Sequence, residues 1–136
     1  MKKYKKGIAF GTWDCLHFGH IKFLKTAKLQ CEKLIVAIDT VEYAENVKGK
    51  DLYHDFCLRD TYISELNCVD ITIPQSERFN KEKSIKSFRP DVIFVGTDHE
   101  NNGWDGEKVA KKLGIDIVYI PEAEIHSEDI RKIIRK

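Results

Sequence analysis

Leu34, Ile35, Val36, Ala37 and Ile38 follow one another without a polar side chain between them. Side chains alternate between the two faces of a β-strand, so a strand that is apolar at every position needs cover on both faces. Antiparallel sheets with one wet face do not call for such runs, whereas parallel sheets sandwiched between helices do. Further strand-like segments recur at 7–10, 71–73, 92–95 and 115–120. Between them lie stretches with helical spacing: Ile21, Leu24, Ala27 and Cys31 after the first run, then a helix over 55–66 that turns Phe56, Ile63 and Leu66 inward. A short helix is expected over 81–88, another carries Val109, Ala110 and Leu113 up to Gly114, and Ser127 caps a last one. In that last helix Glu128 and Asp129 open the first turn and Arg131, Lys132, Arg135 and Lys136 lie toward the end, as the helix dipole favours. Residues 41–52 show no clear period, carry Lys48, Gly49 and Lys50, and read as a loop.

Strands that alternate with helices imply right-handed crossovers and a doubly wound α/β sheet of about five parallel strands. At 136 residues the chain suits one such domain, spanning 1–136, with a core that needs neither disulfide nor structural metal. No apolar run approaches the roughly 18–20 residues that cross a bilayer, which argues against a membrane partner. The basic start at Lys2, Lys3, Lys5 and Lys6 is not followed by an apolar signal core, so a cytoplasmic location is expected. Cys15, Cys31, Cys57 and Cys68 form no C-x-x-C pair and read as reduced packing residues. With 23 basic against 22 acidic residues, a formal charge of +1 supplies no field to gather nucleic acid.

Chemistry concentrates between the first strand and the first helix, in Gly11-Thr12-Trp13-Asp14-Cys15-Leu16-His17-Phe18-Gly19-His20. Gly11 lets backbone approach a phosphate, and a helix beginning near Gly19 offers unpaired N–H groups and a partial positive charge. His17 and His20 stand one turn apart, so both imidazoles can point at one phosphate chain. Attack on the α-phosphorus of a triphosphate builds negative charge on nonbridging oxygens and on departing pyrophosphate, which positioned donors stabilise. Lys50 and Arg59 are available as further cations. His54, His99 and His126 are not spaced to complete a metal site with the pair, so no histidine-held metal is expected.

The pattern Gly-Thr-x-Asp-x-x-His-x-Gly-His resembles the H-x-G-H nucleotidyltransferase family, most of all its cytidylyltransferases that act on glycerol 3-phosphate. At about 5% per residue type, its six fixed positions would coincide by accident at roughly 10⁻⁸ per site. The resemblance extends through residues 34–38, Lys48 and Lys50, Tyr53-His54 with Arg59, Val69-Asp70 before Pro74, and Gly96 with Asp98. It ends in Ile125, Ser127 and Ile130, similar to the family's closing Ile-Ser-Thr signature.

The resemblance implies a Rossmann-like fold and transfer of a cytidylyl group from CTP, with Mg²⁺, to a phosphorylated small alcohol such as glycerol 3-phosphate. Pyrophosphate and a CDP-alcohol would be the products, and a homodimer the assembly. It implies His17, His20, Lys50 and Arg59 as catalytic residues. Gly11, Thr12, Trp13, Asp14, His17, Gly19, His20, Gly96, Asp98 and Ser127 would bind the nucleotide, with Asp14 orienting the site or the magnesium environment. Alternatives are an adenylyltransferase for a flavin or sugar phosphate, or a nucleotide-binding module without turnover. The chain departs from the pattern at Asn67, where the family carries an arginine, and at Glu122-Ala123-Glu124, where it carries Arg-Thr-x-Gly. His99 stands where a tryptophan follows the aspartate, and Gly103-Trp104-Asp105-Gly106 resembles that motif displaced. Two phosphate contacts would be lost, with Arg78, Arg89 and Arg131 as candidate replacements.

Overall fold

A computed structural model describes residues 2–101 and 103–121. Its elements follow in the order β1 (Tyr4–Gly11), α1 (Phe18–Lys28), β2 (Cys31–Asp39), α2 (Val41–Asn46), α3 (Phe56–Ser64), β3 (Ile71–Gln75), α4 (Lys81–Phe88), β4 (Val92–Gly96), a single 3₁₀ turn Thr97–His99, α5 (Glu107–Lys112) and β5 (Asp116–Ile120). The five strands form one sheet in the order β3-β2-β1-β4-β5. Every pairing is parallel, with Gly7 opposite both Leu34 and Val92. This is the doubly wound, Rossmann-like sheet expected from the apolar runs. The proposed helix capped by Ser127 lies outside the described residues, as do Glu122, Glu124 and Arg131.

Strand alternation sorts the core into two layers. Ala9, Leu34, Val36, Ile38, Val92 and Phe94 face Leu24 and Ala27 of α1 and Ile63 of α3. Ile8, Ile35, Ala37, Ile73 and Ile93 face Ile85 of α4 and Ala110 of α5. Each fully buried leucine or isoleucine contributes ~1.5–3 kcal/mol, which is why residues 34–38 of β2, covered on both faces, carry no polar position. Close packing also fixes Gly7, where a Cβ would lie 2.5 Å from Phe94 Cε2. Phe56 and Leu66 pack against the first layer only partly buried, and Cys31 opens β2 instead of closing α1.

Two boundaries differ from the sequence reading. Residues 41–46 are a helix, not a loop: Thr40 accepts from Tyr43 N–H as N-cap, and Tyr43 and Ala44 are buried. Six residues are too few for a helical period to show. The third strand continues through Pro74 to Gln75, with Pro74 opposite Ile38. The proline is tolerated because β3 is an edge strand and needs no donor on its outer side. None of the described helices is long and apolar enough to cross a membrane.

Candidate active site

From the central strand β1 the chain winds outward to β2 and β3, then crosses back to β4 on the other side. The carboxyl ends of β1 and β4 therefore diverge at a topological switch point, the crevice where such sheets hold ligands. Residues 12–17 span this crevice, with Trp13 and Cys15 in the left-handed backbone region at φ 58° and 50°. That conformation folds the Trp13 indole back into the sheet, where Nε1–H donates to the carbonyl of Ala37 at 3.0 Å. Its ring packs near-perpendicular to His20 at 5.6 Å and against Phe23 at 6.2 Å. Gly11 makes room for it, since a Cβ there would lie 2.7 Å from Trp13 Cε2. The Trp13 side chain is thus a buried packing group, and Gly11 admits it.

Asp14 is also turned inward, at 2% exposure. Its two carboxylate oxygens accept from the backbone N–H groups of Tyr53 at 2.8 Å and His54 at 2.9 Å. These bonds tie the start of the α3 region to the motif, an orienting role. Arg59 works from the next turn. Its side chain is wholly buried, with Nη1 donating to the carbonyls of Thr12 at 2.9 Å and Asp39 at 2.6 Å. Nε donates to the carbonyls of His54 and Asp55, both at 3.2 Å. Burial lowers the guanidinium pKa, while Asp14, Asp39 and Asp55 oppose the shift. Arg59 is thus an internal staple joining the ends of β1 and β2 through Nε and Nη1, while Nη2 is buried without a hydrogen-bond partner.

What reaches the surface is built on that staple. The Thr12 hydroxyl donates to Asp39 Oδ2 at 2.7 Å, and exposed Lys50 donates to the same hydroxyl from 3.3 Å. Lys48 pairs with Asp39 Oδ2 at 2.6 Å. Asp39, fully buried at the end of β2, organises two lysines of the segment before α3. The sequence analysis did not single it out, because a terminal aspartate after an apolar run also reads as a strand stop.

His17 is the N-cap of α1. Its Nδ1 accepts from Gly19 N–H at 3.0 Å, and its own N–H donates to His20 Nδ1 at 3.3 Å, a reciprocal cap made of histidines. The two rings stack with centroids 4.0 Å apart. Because both Nδ1 atoms accept, each ring carries its proton on Nε2, so each is an N–H donor. Burial, reinforced by His17 and opposed by Asp14, lowers the His20 pKa to about 3. His20 is neutral at pH 7. No acidic residue occupies the first turn of α1, which leaves the positive end of the helix dipole without an internal counter-charge there.

Gly96 is buried at the end of β4 opposite Ile120, and Asp98 stands exposed on the following turn with His99 Nε2 3.5 Å away. Trp104 packs on the α4–α5 layer and donates from Nε1 to the Tyr119 hydroxyl at 3.2 Å, a structural position near the β5 edge. Arg89 caps the carboxyl end of α4 immediately before β4, at the amino end of the sheet, so it cannot replace a phosphate ligand beyond the carboxyl ends. Asn67 likewise falls between α3 and the start of β3. The residue expected to forfeit a phosphate contact therefore sits at the far end of the sheet from Gly11. Ser127 lies outside the described residues.

Lys81, the first residue of α4, was missed. Its ammonium lies over the Phe10 ring at 5.7 Å, and its pKa is lowered to about 8 by burial first, then by Lys48, with a smaller push from Lys50. Asp39 and Asp105 oppose the shift. Only the folded chain brings the start of α4 over β1, and a lysine opening a polar helix carries no signal of its own.

Comparison with known proteins agrees with this arrangement. A family model for cytidylyltransferase-like proteins matches residues 8–133. The glycerol-3-phosphate cytidylyltransferase of Bacillus subtilis is 36% identical over 120 residues, covering 88% of this chain and 88% of that one. The enzyme of the same name from Staphylococcus aureus is 33% identical over 120 residues, covering 88% and 86%. The crystal structure of the lipopolysaccharide core biosynthesis protein from Thermoplasma volcanium superposes with a TM-score of 0.76 at 29% identity, covering 89% of this chain and 99% of that one. A parallel sheet with its histidine-capped crevice at the switch point, matched along nearly its whole length, makes this chain a member of the cytidylyltransferase-like family.

Proposed function

We propose that the protein transfers the cytidylyl group of CTP to a phosphorylated small alcohol such as glycerol 3-phosphate. An oxygen of the acceptor phosphate attacks the α-phosphorus of CTP. The bond from that phosphorus to the bridging oxygen breaks, and pyrophosphate leaves with the electron pair, giving a CDP-alcohol. The carrying observation is the reciprocal histidine cap, which holds both imidazoles at the start of α1 beside the switch-point crevice with each Nδ1 engaged by backbone. N–H donors of this kind stabilise charge that develops on nonbridging oxygens and on the departing pyrophosphate. An acceptor phosphate is already anionic, so the reaction needs no general base, in keeping with a pair that offers N–H and keeps its lone pairs on backbone.

In this reading Lys50 and the α1 N-terminus neutralise triphosphate charge, while Thr12, Gly96 and Asp98 lie at the strand ends that border the nucleotide. Magnesium belongs to the proposal only as the companion of the triphosphate. Among the described residues no group of three or more His, Cys, Asp or Glu side chains could hold a metal, so no protein-held site fits it and no step is assigned to it. A cytoplasmic homodimer completes the reading, and sedimentation velocity tests the dimer. The deciding experiment measures pyrophosphate release with CTP, ATP, GTP and UTP against glycerol 3-phosphate, sugar phosphates and flavin mononucleotide. Release that requires CTP and glycerol 3-phosphate together is expected. Preference for ATP with a flavin or sugar phosphate would overturn the assignment, and nucleotide binding without release would mark a module without turnover.

A further inference from the structure

The formal charge of +1 conceals a separation of charge along the strands. In a parallel sheet each crossover helix carries the chain back from the carboxyl edge, so α1, α3, α4 and α5 all end at the amino edge, where β1 and β2 begin. Basic residues gather there. Lys25 and Lys28 lie in the last turn of α1, Lys86 in that of α4, and Lys111 and Lys112 in that of α5. The helix dipole accounts for cations at those positions. It does not account for Lys2, Lys3 and Lys5 at the start of β1 or Lys33 at the start of β2, all of them exposed. The acids at this edge are Glu32, Glu65, Asp70, Asp91 and Asp116. Asp70 is taken up by Lys28, Asp91 by the backbone N–H of Lys6 and Asp116 by the Tyr4 hydroxyl. Among the described residues the amino edge is therefore basic. The carboxyl half is acidic, with Glu42, Glu45, Asp98, Glu100 and Asp105 exposed on it.

The basic edge also presents apolar side chains. Among the described residues Leu29, which follows α1, is 75% exposed, and Leu113, which follows α5, is 36% exposed. The Tyr4 N–H donates to the Gln30 carbonyl at 3.0 Å, so Leu29 stands beside the start of β1 and its lysines. Tyr4, the aromatic residue among those lysines, is buried and leaves a nucleic-acid base no ring to stack on. Exposed leucines among lysines fit a lipid interface, where apolar tips enter the acyl boundary and ammonium groups meet phosphates. We propose that the amino edge of the sheet docks on an anionic bilayer, with Leu29 and Leu113 entering the headgroup region and Lys2, Lys3, Lys25 and Lys33 facing the lipid phosphates. Such contact needs no spanning segment. The acidic carboxyl half is repelled by the same surface, so the charge separation orients the molecule as well as holding it. The eight residues of β1, at ~3.3 Å each, keep the crevice about 26 Å from the bilayer. Salt screens surface charge within roughly 8–10 Å, so anionic ligands reach the crevice outside the field of the lipids. Docking of this kind does not depend on the transferase reading.

Co-sedimentation of the full chain with vesicles tests the docking. Binding is expected to vesicles of phosphatidylglycerol mixed with phosphatidylcholine, not to phosphatidylcholine alone, and it should weaken as salt rises. Each lysine near such a surface contributes about fivefold to partitioning, so Lys25→Gln combined with Lys33→Gln should weaken binding about 10- to 30-fold. Leu29→Gln should weaken it about three- to tenfold. These positions lie at the opposite edge from the crevice, so the thermal midpoint and any pyrophosphate release should match wild type. Limited acetylation followed by peptide mass spectrometry reads the orientation. Vesicles should slow acetylation of Lys25, Lys33 and Lys112 and leave exposed Lys108, near the start of α5, unchanged. Absence of binding to the anionic vesicles at low salt would overturn the proposal. Equal binding to phosphatidylcholine, or slowed acetylation of Lys108 with Lys25 and Lys33 unaffected, would do the same. Vesicle binding that Leu29→Gln leaves intact, together with tighter binding to duplex DNA or polyglutamate, would make the edge a site for nucleic acid or acidic protein and overturn the lipid assignment.

Discussion

Arg59→Met separates two opposed roles for the same residue. Family resemblance makes Arg59 a phosphate ligand, whereas its burial and four carbonyl contacts make it a staple. The bonds to Thr12 and Asp39, at 2.9 and 2.6 Å, are the strong pair. Charged hydrogen bonds contribute about 1.5–3 kcal/mol each, so losing both costs about 3–6 kcal/mol. The two longer Nε contacts share one hydrogen and add little. Part of the loss is offset, because methionine no longer buries a charge and removes Nη2, which is buried without a hydrogen-bond partner. A net destabilisation of about 2–4 kcal/mol follows, a large fraction of the ~5–15 kcal/mol that holds a domain together. Urea unfolding with the m-value held fixed measures it, and CTP titration at low temperature, where the variant stays folded, measures affinity. Affinity should fall less than about tenfold. Stability within about 0.5 kcal/mol of wild type, combined with lost CTP binding, would refute the staple and restore Arg59 as a ligand.

Asp14→Ala should cost about 3–5 kcal/mol, since it strips acceptors from the Tyr53 and His54 N–H groups; Asp14→Asn should cost less, and equal stabilities by urea unfolding would contradict the orienting role. Gly11→Ala pushes a methyl into the Trp13 indole and should destabilise by about 1–3 kcal/mol, with a shift in tryptophan fluorescence; an unchanged spectrum would place the indole elsewhere. His20 is held at a pKa of about 3 against an ordinary 6.5, so between those values the unfolded chain takes up a proton that the folded chain refuses. Its contribution to stability is present above pH 6.5 and is lost as pH falls toward 3, amounting to about 2 kcal/mol between pH 7 and 5. His20→Asn should lack that component, and parallel pH–stability curves for the two proteins would show His20 titrating normally.

Much of the fold was legible because its signals are local. Residues 34–38 announce a strand covered on both faces, and 81–88 match α4 from end to end. The six-residue α2 was not legible, since its cap at Thr40 was the only cue. For the site, composition located the crevice without giving the direction of side chains. Trp13, Asp14 and Arg59 belong to the recognised pattern, yet each is turned inward by a partner far along the chain: Ala37, the Tyr53–His54 backbone and the Thr12 carbonyl. Spacing conveys that residues act together without telling which face the ligand and which hold those that do. Lys81 was hidden for the converse reason, because its meaning arises only where α4 crosses Phe10.

The histidine cap also bears on which metals the protein can tolerate. Imidazole binds zinc, nickel or copper through a ring lone pair, and two stacked rings 4.0 Å apart look like half of such a site. Here the Nδ1 lone pairs are held by the N–H groups of Gly19 and His17, and each Nε2 carries a proton. A metal could take the pair only by shifting the ring protons to Nδ1 or by opening the first turn of α1, and either breaks the cap, which costs about 1 kcal/mol. The arrangement therefore opposes such binding through the tautomer that the cap selects and not through charge. The same two hydrogen bonds that cap α1 thus also set the cost at which the histidine pair could bind such an ion.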